Sequence, residues 1–160
     1  MIDHKREQEV WQRVMTMSAE APRCDKPVGK QGLTAEQVVE LLCGELEDAA
    51  VYEALACRVR GQNQQKLRYL ARQELRHFAK LEAVYYLMTG KKPCPDKPKR
   101  PCIACTNEEL RSRYIHEVES AAKYRCLSEK AGSFAGVFEA IGCEEERHAE
   151  EVLQILQYCL

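Results

Sequence analysis

The sequence predicts an all-α protein in which four long helices form a bundle, preceded by a short N-terminal helix. Apolar residues recur at intervals of three and four along four segments, which is the spacing of one helix face. Short links join these segments in pairs, as in antiparallel helix hairpins. We therefore expect the bundle at residues 33–160 and an extension of helix and loop at residues 1–32, with the short amphipathic helix at residues 2–17.

The first hairpin has clear start and stop signals. Thr34 followed by Gln37 predicts a capping box at the start of the first helix. Gly61 and Asn63 are expected to end that helix, and Thr89-Gly90 to end the second. The apolar faces comprise Val38, Leu41, Tyr52, Leu55 and Val59 in the first helix, and Leu67, Leu70, Leu81, Val84 and Met88 in the second.

The second hairpin repeats this layout. Thr106 with Glu109 predicts another capping box, and Gly132-Ser133 ends the third helix. The apolar faces comprise Leu110, Tyr114, Ala121, Tyr124, Leu127 and Ala131 in the third helix, and Phe138, Ile141, Val152, Ile155 and Cys159 in the fourth.

A proline-rich connection separates the two hairpins. Extended, the stretch from Thr89 to Asn107 could span roughly 60 Å. A helix of about 25 residues is only about 37 Å long. The connection can therefore cross the full length of the bundle, which predicts an up-down-down-up arrangement with one long crossover.

Carboxylates and imidazoles interrupt the apolar faces in a pattern that occurs twice. The two glutamates of each copy are 29 residues apart in the first and 28 in the second. Burying an ionised carboxylate costs several kcal/mol unless the group is paired or bound to a metal. The copies read Glu45-x6-Tyr52 with Glu74-x2-His77, and Glu117-x6-Tyr124 with Glu145-x2-His148.

The spacing of each Glu-x2-His pair favours a metal centre. Residues at i and i+3 share one helix face, so each such helix offers a carboxylate and an imidazole together. Four carboxylates and two imidazoles are enough to ligate two metal ions, and such a donor set suits iron or manganese. The competing interpretation is a set of buried salt bridges or exposed charges on a helical bundle.

Three stretches resemble the rubrerythrin-like group of the ferritin-like superfamily: Gly44-Glu45 with Tyr52, residues 73–79, and residues 144–150. The resemblance covers about residues 33–160. It implies two iron ions, with manganese as an alternative, bridged by Glu74 and Glu145. It also implies that Tyr52 and Tyr124 are catalytic residues beside the ligands; core packing is the competing interpretation for both tyrosines. The implied metal ligands are Glu45, Glu74, His77, Glu117, Glu145 and His148.

The function implied by the resemblance is an oxidoreductase that reduces peroxide or O2. Rubrerythrins proper carry a rubredoxin domain with two Cys-x2-Cys pairs, whereas this chain has one such pair, within the crossover. We therefore expect an external electron donor, and a homodimer, which is common for such bundles. Iron storage with ferroxidase uptake is an alternative function, as is a structural bundle whose cysteine-rich crossover is the working part.

A further departure concerns the third helix. Rubrerythrins have an additional carboxylate there that exchanges with a histidine during turnover. Its expected position is Ser120, or Glu119 if the register differs by one. Asp48, one turn after Glu45, could supply an extra carboxylate instead, although a salt bridge is the favoured interpretation for it.

The cysteines offer a possible second site. Cys102-x2-Cys105, with Cys94 nearby and Cys24 as a fourth ligand, could bind zinc or form a redox disulfide. Free loop thiols are the competing interpretation. The chain has nine cysteines, an odd number, and we expect them to be mostly reduced.

Composition bounds the remaining function classes. A net charge of −1 gives no basic field for nucleic acid, so we expect no nucleic-acid partner. No run of about 18 apolar residues exists, so we expect no membrane span. The start of the chain lacks the layout of a signal peptide, which favours a cytoplasmic protein.

Overall fold

The computed structural model describes residues 32–159, and this part of the chain is helical, with no strand. The all-α prediction is confirmed for it, while the predicted N-terminal helix at residues 2–17 lies outside the described residues. Four α-helices follow one another, with a 3-10 turn at Gly132–Phe134 before the last. They are α1 at Ala35–Ala56, α2 at Gly61–Thr89, α3 at Thr106–Ser128 and α4 at Ala135–Cys159.

The starts of α1 and α3 differ. The predicted capping box of α1 is confirmed: Thr34 Oγ1 accepts from the backbone N–H of Gln37 at 3.3 Å, and Gln37 Oε1 accepts from the N–H of Thr34 at 3.0 Å. The predicted box at Thr106 is wrong, because Cys105 is the capping residue and no side chain caps α3. The hydroxyl of Thr106 instead accepts a hydrogen bond from Arg58 Nε at 3.0 Å.

Two glycines delimit α2. Gly61 and Gly90 have φ angles of 66° and 68°, in the left-handed region where a side chain would be strained. Gly90 ends the helix as predicted. The first helix already ends at Ala56, so Val59, predicted on its apolar face, lies in the link and packs only partly buried against the core.

The helices pack as two hairpins, α1 along α2 and α3 along α4. Their buried apolar side chains form two clusters, each with members from all four helices. The Leu70 cluster comprises Tyr52, Leu55, Ala56, Leu67, Leu70, Ala71, Leu110, Val152, Ile155 and Leu156. The Phe138 cluster comprises Val38, Leu41, Leu42, Leu81, Val84, Tyr124, Ala131, Phe138 and Ile141.

Each helix passes through both clusters, with buried polar residues between them. Along α1 and α4 the Phe138 cluster comes first, and along α2 and α3 the Leu70 cluster comes first. Contacts between helix ends agree with this order: the N–H of Leu33 donates to the carbonyl of Lys130 at 3.3 Å, and Lys66 Nζ donates to Gln154 Oε1 at 2.9 Å. The polar residues therefore form a layer in the middle of the molecule.

Within residues 32–159, none of the helices combines the length and the apolar character that crossing a membrane requires.

Candidate metal centre

All six predicted ligand residues lie in the polar layer between the two clusters. None is more than 4% exposed. Removing a carboxylate or a charged imidazole from water to this extent costs several kcal/mol per ion unless its charge is neutralised. The contributions are Glu45 from α1, Glu74 and His77 from α2, Glu117 from α3, and Glu145 and His148 from α4.

Four of these residues, from α2 and α4, form a group that could hold a metal ion. Glu74, His77, Glu145 and His148 each offer one ligand atom, and these atoms lie within 4.8 Å of one another. The i, i+3 spacing places the glutamate and histidine of each helix on one face.

Glu74 and Glu145 each present one oxygen to each histidine. Nδ1 of His77 lies 3.0 Å from Glu74 Oε2 and 3.0 Å from Glu145 Oε1. Nδ1 of His148 lies 3.0 Å from Glu74 Oε1 and 3.3 Å from Glu145 Oε2. The two imidazoles stack with their centroids 5.3 Å apart and their planes inclined by 22°. Both carboxylates are thus shared between two halves of the layer, one at His77 and the other at His148.

Glu45 and Glu117 are each associated with one histidine only. Glu45 Oε2 lies 3.4 Å from Nδ1 of His77, and Glu117 Oε2 lies 3.7 Å from Nδ1 of His148. Each half of the layer therefore has one imidazole, one carboxylate of its own and one oxygen from each shared carboxylate.

Several polar atoms of these six residues are buried without a hydrogen bond. The ring nitrogens approach carboxylate oxygens to 3.0 Å but lack the alignment of a hydrogen bond. Since buried polar atoms in proteins are nearly always paired, a cation between these atoms would satisfy them. They are Glu45 Oε2, both carboxylate oxygens of Glu74, His77 Nδ1 and His148 Nδ1.

Two of the carboxyl groups, those of Glu45 and Glu117, and both imidazoles of the layer hold protons tightly. Burial raises the pKa of Glu45 to about 8 and that of Glu117 to about 7, although the adjacent histidines act in the opposite direction. Burial lowers the pKa of His148, but its carboxylate neighbours outweigh burial and raise that pKa to about 12; the same balance raises the pKa of His77. A cation and these protons would compete for the same atoms.

The buried tyrosines connect the two sequence copies. The hydroxyl of Tyr52 donates a hydrogen bond to Glu117, and that of Tyr124 donates to Glu45. Burial and the adjacent carboxylate raise the pKa of both phenols, so both remain protonated donors. The structure thus places both residues beside predicted ligands, while their catalytic role stays a prediction.

Glu144 and Lys80 were not singled out in the sequence. Nε2 of His77 lies 2.8 Å from Glu144 Oε2, which also accepts from Lys80 Nζ at 2.7 Å. A carboxylate can only accept, so the Nε2–H of His77 donates and leaves Nδ1 facing the layer. The sequence signal that could have identified Glu144 is its place directly before the Glu-x2-His pair of the second copy.

Asp48 lies in a separate polar network. Its carboxylate accepts a hydrogen bond from Arg113 Nη1, and Nε2 of His116 lies 2.9 Å from Oδ2. The favoured salt-bridge interpretation of Asp48 therefore matches its contacts. Arg113 is only 9% exposed, whereas the sequence pattern predicts its neighbour Tyr114 on the buried face; Tyr114 packs only partly buried against the Leu70 cluster. Glu119 is exposed and so does not reach the layer.

A cavity of about 350 Å³ lies between α2 and α4, beside the polar layer. His148 forms part of its wall, together with residues of both charges. The lining residues are Tyr69, Gln73, Arg76, Glu144, Arg147, His148 and Glu151. The half of the layer at His148 thus borders a space large enough for a small molecule.

The predicted second site is not part of this layer. Cys94, Cys102 and Cys105 are exposed free thiols in the crossover, and Cys24 lies outside the described residues. A zinc or redox role for the three cysteines stays a prediction.

No model of a known protein family matches this chain, and no curated protein matches it. What the centre can bind is therefore given by its own geometry: a buried group of two glutamates and two histidines that could hold a metal ion.

Proposed function

We propose that this chain is a rubrerythrin-like, di-iron carboxylate protein of the ferritin-like superfamily that reduces peroxide or O2. The observation that carries the proposal is the sharing of Glu74 and Glu145 between the two histidines. A carboxylate that presents one oxygen to each of two ligand nitrogens is placed to bridge two cations. Four carboxylates and two imidazoles also offer more donor atoms than one ion can use.

The arrangement of the helices supports the ferritin-like part of the proposal. The clusters occur in one order along α1 and α4 and in the reverse order along α2 and α3. This order favours an up-down-down-up bundle in which residues 90–105 form the long crossover. Glutamates from two helices and Glu-x2-His pairs from the other two are the ligand arrangement of di-iron carboxylate bundles.

The donor set suits iron or manganese, and the proposed reaction favours iron. Carboxylate oxygens with two imidazole nitrogens suit iron or manganese, whereas zinc favours four ligands in a tetrahedron. Reduction of one peroxide to two waters takes two electrons and two protons. Two ferrous ions held by these residues would supply the electrons, and an external donor would restore them. The oxygen-rich, six-residue set is thus suited to this reaction.

The residues of the chain would position and shield the centre. Through their hydroxyl groups, Tyr52 and Tyr124 orient the two unshared carboxylates, those of Glu117 and Glu45 respectively. Glu144 orients the ring of His77. The two apolar clusters, one on each side of the layer, exclude water and strengthen the electrostatic contacts within it.

The proposed reaction uses a fixed ligand set. Glu119 is exposed, and the other expected position for an exchanging carboxylate is Ser120. Neither position offers a buried carboxylate, so the proposed reaction proceeds without carboxylate exchange.

The test is the metal content of protein purified without oxygen, measured per chain and followed by peroxide consumption with a chemical reductant. We expect about two iron ions per chain, and the loss of both metal and activity in the double variant Glu74→Ala/Glu145→Ala. The double variant Glu82→Ala/Glu150→Ala is a matched control, because it removes glutamates from the same two helices outside the layer.

Other outcomes would identify the alternatives. One zinc per chain, retained in the Glu74→Ala/Glu145→Ala variant, would contradict the proposal and direct attention to Cys94, Cys102 and Cys105. Uptake of many iron ions per chain into a large shell would identify a storage protein. Two manganese ions in place of iron would keep the dinuclear site but contradict the choice of metal.

A further inference from the structure

The two histidines of the centre have similar inner surroundings but different outer ones. Nδ1 of each ring faces the same two shared carboxylates. On the outside, the ring of His77 donates to Glu144, the residue directly before Glu145. The corresponding residue of the first copy, directly before Glu74, is Gln73. The repeat thus has a carboxylate at one position and a neutral amide at the other.

This difference favours tighter binding at His77. A carboxylate that accepts from the outer nitrogen of a ligand histidine fixes the ring and makes it a stronger donor. Glu144 is itself held by Lys80 Nζ at 2.7 Å. A neutral amide cannot give His148 the same electrostatic support.

The two histidines also differ in their access to solvent. The cavity between α2 and α4 is lined by His148 and Gln73 but not by His77. Its volume of about 350 Å³ corresponds to roughly ten water molecules. Arg147 at its edge has a side chain that is 69% exposed, so this wall borders solvent. A small polar molecule that enters the cavity meets the His148 half of the centre first.

We propose that the dinuclear centre has one closed metal position at His77, fixed by Glu144 and Lys80, and one open position at His148, reached through the cavity between α2 and α4. This inference rests on the proposed function, because it requires two metal ions. Metal exchanges at the open position, and a small polar oxidant makes its first contact there.

Release of iron to a chelator tests the inference without measuring activity. Protein loaded with two ferrous ions per chain is mixed, without oxygen, with excess of a chromogenic ferrous chelator. We expect two phases of equal amplitude, because one ion leaves from the open position and the other from the closed one. Glu144→Gln should accelerate only the slow phase, by about 10- to 100-fold, which is the usual loss of affinity when such a partner is changed.

Three further variants sharpen the test. Glu151→Gln is the matched control. Glu151 lines the same cavity, but its carboxylate contacts Lys66 and not a histidine. Both phases should therefore keep their rates in this variant. Lys80→Met, which removes the anchor of Glu144, should accelerate the slow phase by a smaller factor. Arg147→Trp, which puts a larger and more rigid side chain at the edge of the cavity, should slow the fast phase alone.

The outcomes separate this inference from the proposed function. Release of both ions in one phase, or acceleration of the fast phase by Glu144→Gln, would overturn the inference and leave the dinuclear site intact. Failure of the unmodified protein to take up two ions would overturn the proposed function as well.

Discussion

Tyr52 donates its buried hydroxyl to Glu117, so that a side chain of the first sequence copy fixes a carboxylate of the second. The reverse contact, from Tyr124 to Glu45, connects the copies in the other direction. The carboxylates of Glu117 and Glu45 are therefore each held by a tyrosine of the opposite hairpin. Substitution of either tyrosine should change both the stability of the fold and the affinity for metal.

Tyr52→Phe should destabilise the metal-free protein by about 1–3 kcal/mol, because it leaves a carboxylate oxygen of Glu117 buried without its partner. Urea unfolding in the presence of a chelator measures this change. Tyr86→Phe is the matched control, since Tyr86 lies on α2 and is 54% exposed. Equal stability of the two variants would contradict the importance of the hydrogen bond.

The metal-free protein should lose stability as the pH rises from about 5 to 8. The pKa values of Glu45 and Glu117 in the folded protein, about 8 and 7, lie above the ordinary value of 4.5. The folded state therefore binds more protons than the unfolded state across this window, and linkage makes stability fall with pH. Above about pH 6.5 the raised pKa of His148 acts in the same direction. Calorimetry at several pH values measures the trend, and a flat profile would contradict it.

Added metal should reverse this trend. Because the cation replaces protons, Fe(II) or Mn(II) should bind more tightly and raise the melting temperature more at pH 8 than at pH 6. At a concentration of one hundred times Kd, one site contributes about 2.7 kcal/mol, which corresponds to roughly 5–10 °C for a domain of this size. A melting temperature that neither ion changes would count against the centre.

Glu74→Gln and Glu45→Gln should have different effects on metal stoichiometry. Glu74 faces both histidines, so its substitution should weaken binding of both ions. Glu45 lies beside His77 alone, so its substitution should weaken one ion and leave about one per chain at limiting Mn(II). Equilibrium dialysis with elemental analysis measures both. Loss of both ions in each variant would contradict the division into shared and unshared carboxylates.

Asp48→Ala should lower stability and leave metal content unchanged. Its carboxylate is the partner of Arg113, and an Arg113 left buried without that partner should cost about 2 kcal/mol. Chemical unfolding and elemental analysis of the same preparation give both quantities. A halved metal content would instead identify Asp48 as a ligand.

For residues 32–159, the sequence was sufficient to predict four long helices and the burial of all six proposed ligands. These features follow from the 3.6-residue period and from the fact that the pattern occurs twice, so that each copy supports the other. Glu45 and Glu117 fall on the apolar face of their own helices, so their burial can be predicted without knowing which helices are neighbours.

Contacts across helices could not be predicted in this way. Glu144 reaches His77, and Arg113 reaches Asp48, only because two particular pairs of helices lie side by side at a particular rotation. Local signals also failed where a tertiary contact competed with them: the hydroxyl of Thr106 accepts from Arg58 instead of capping α3.

The reciprocal hydrogen bonds of Tyr52 and Tyr124 give the two hairpins the relation found between subunits of a symmetric dimer, in which one patch is used twice. Two identical chains would have to carry the same residue at equivalent positions. Joined in one chain, the hairpins are free to differ, and they do so at Gln73 and Glu144. Covalent connection thus permits two inequivalent neighbours for the histidines within an otherwise twofold arrangement.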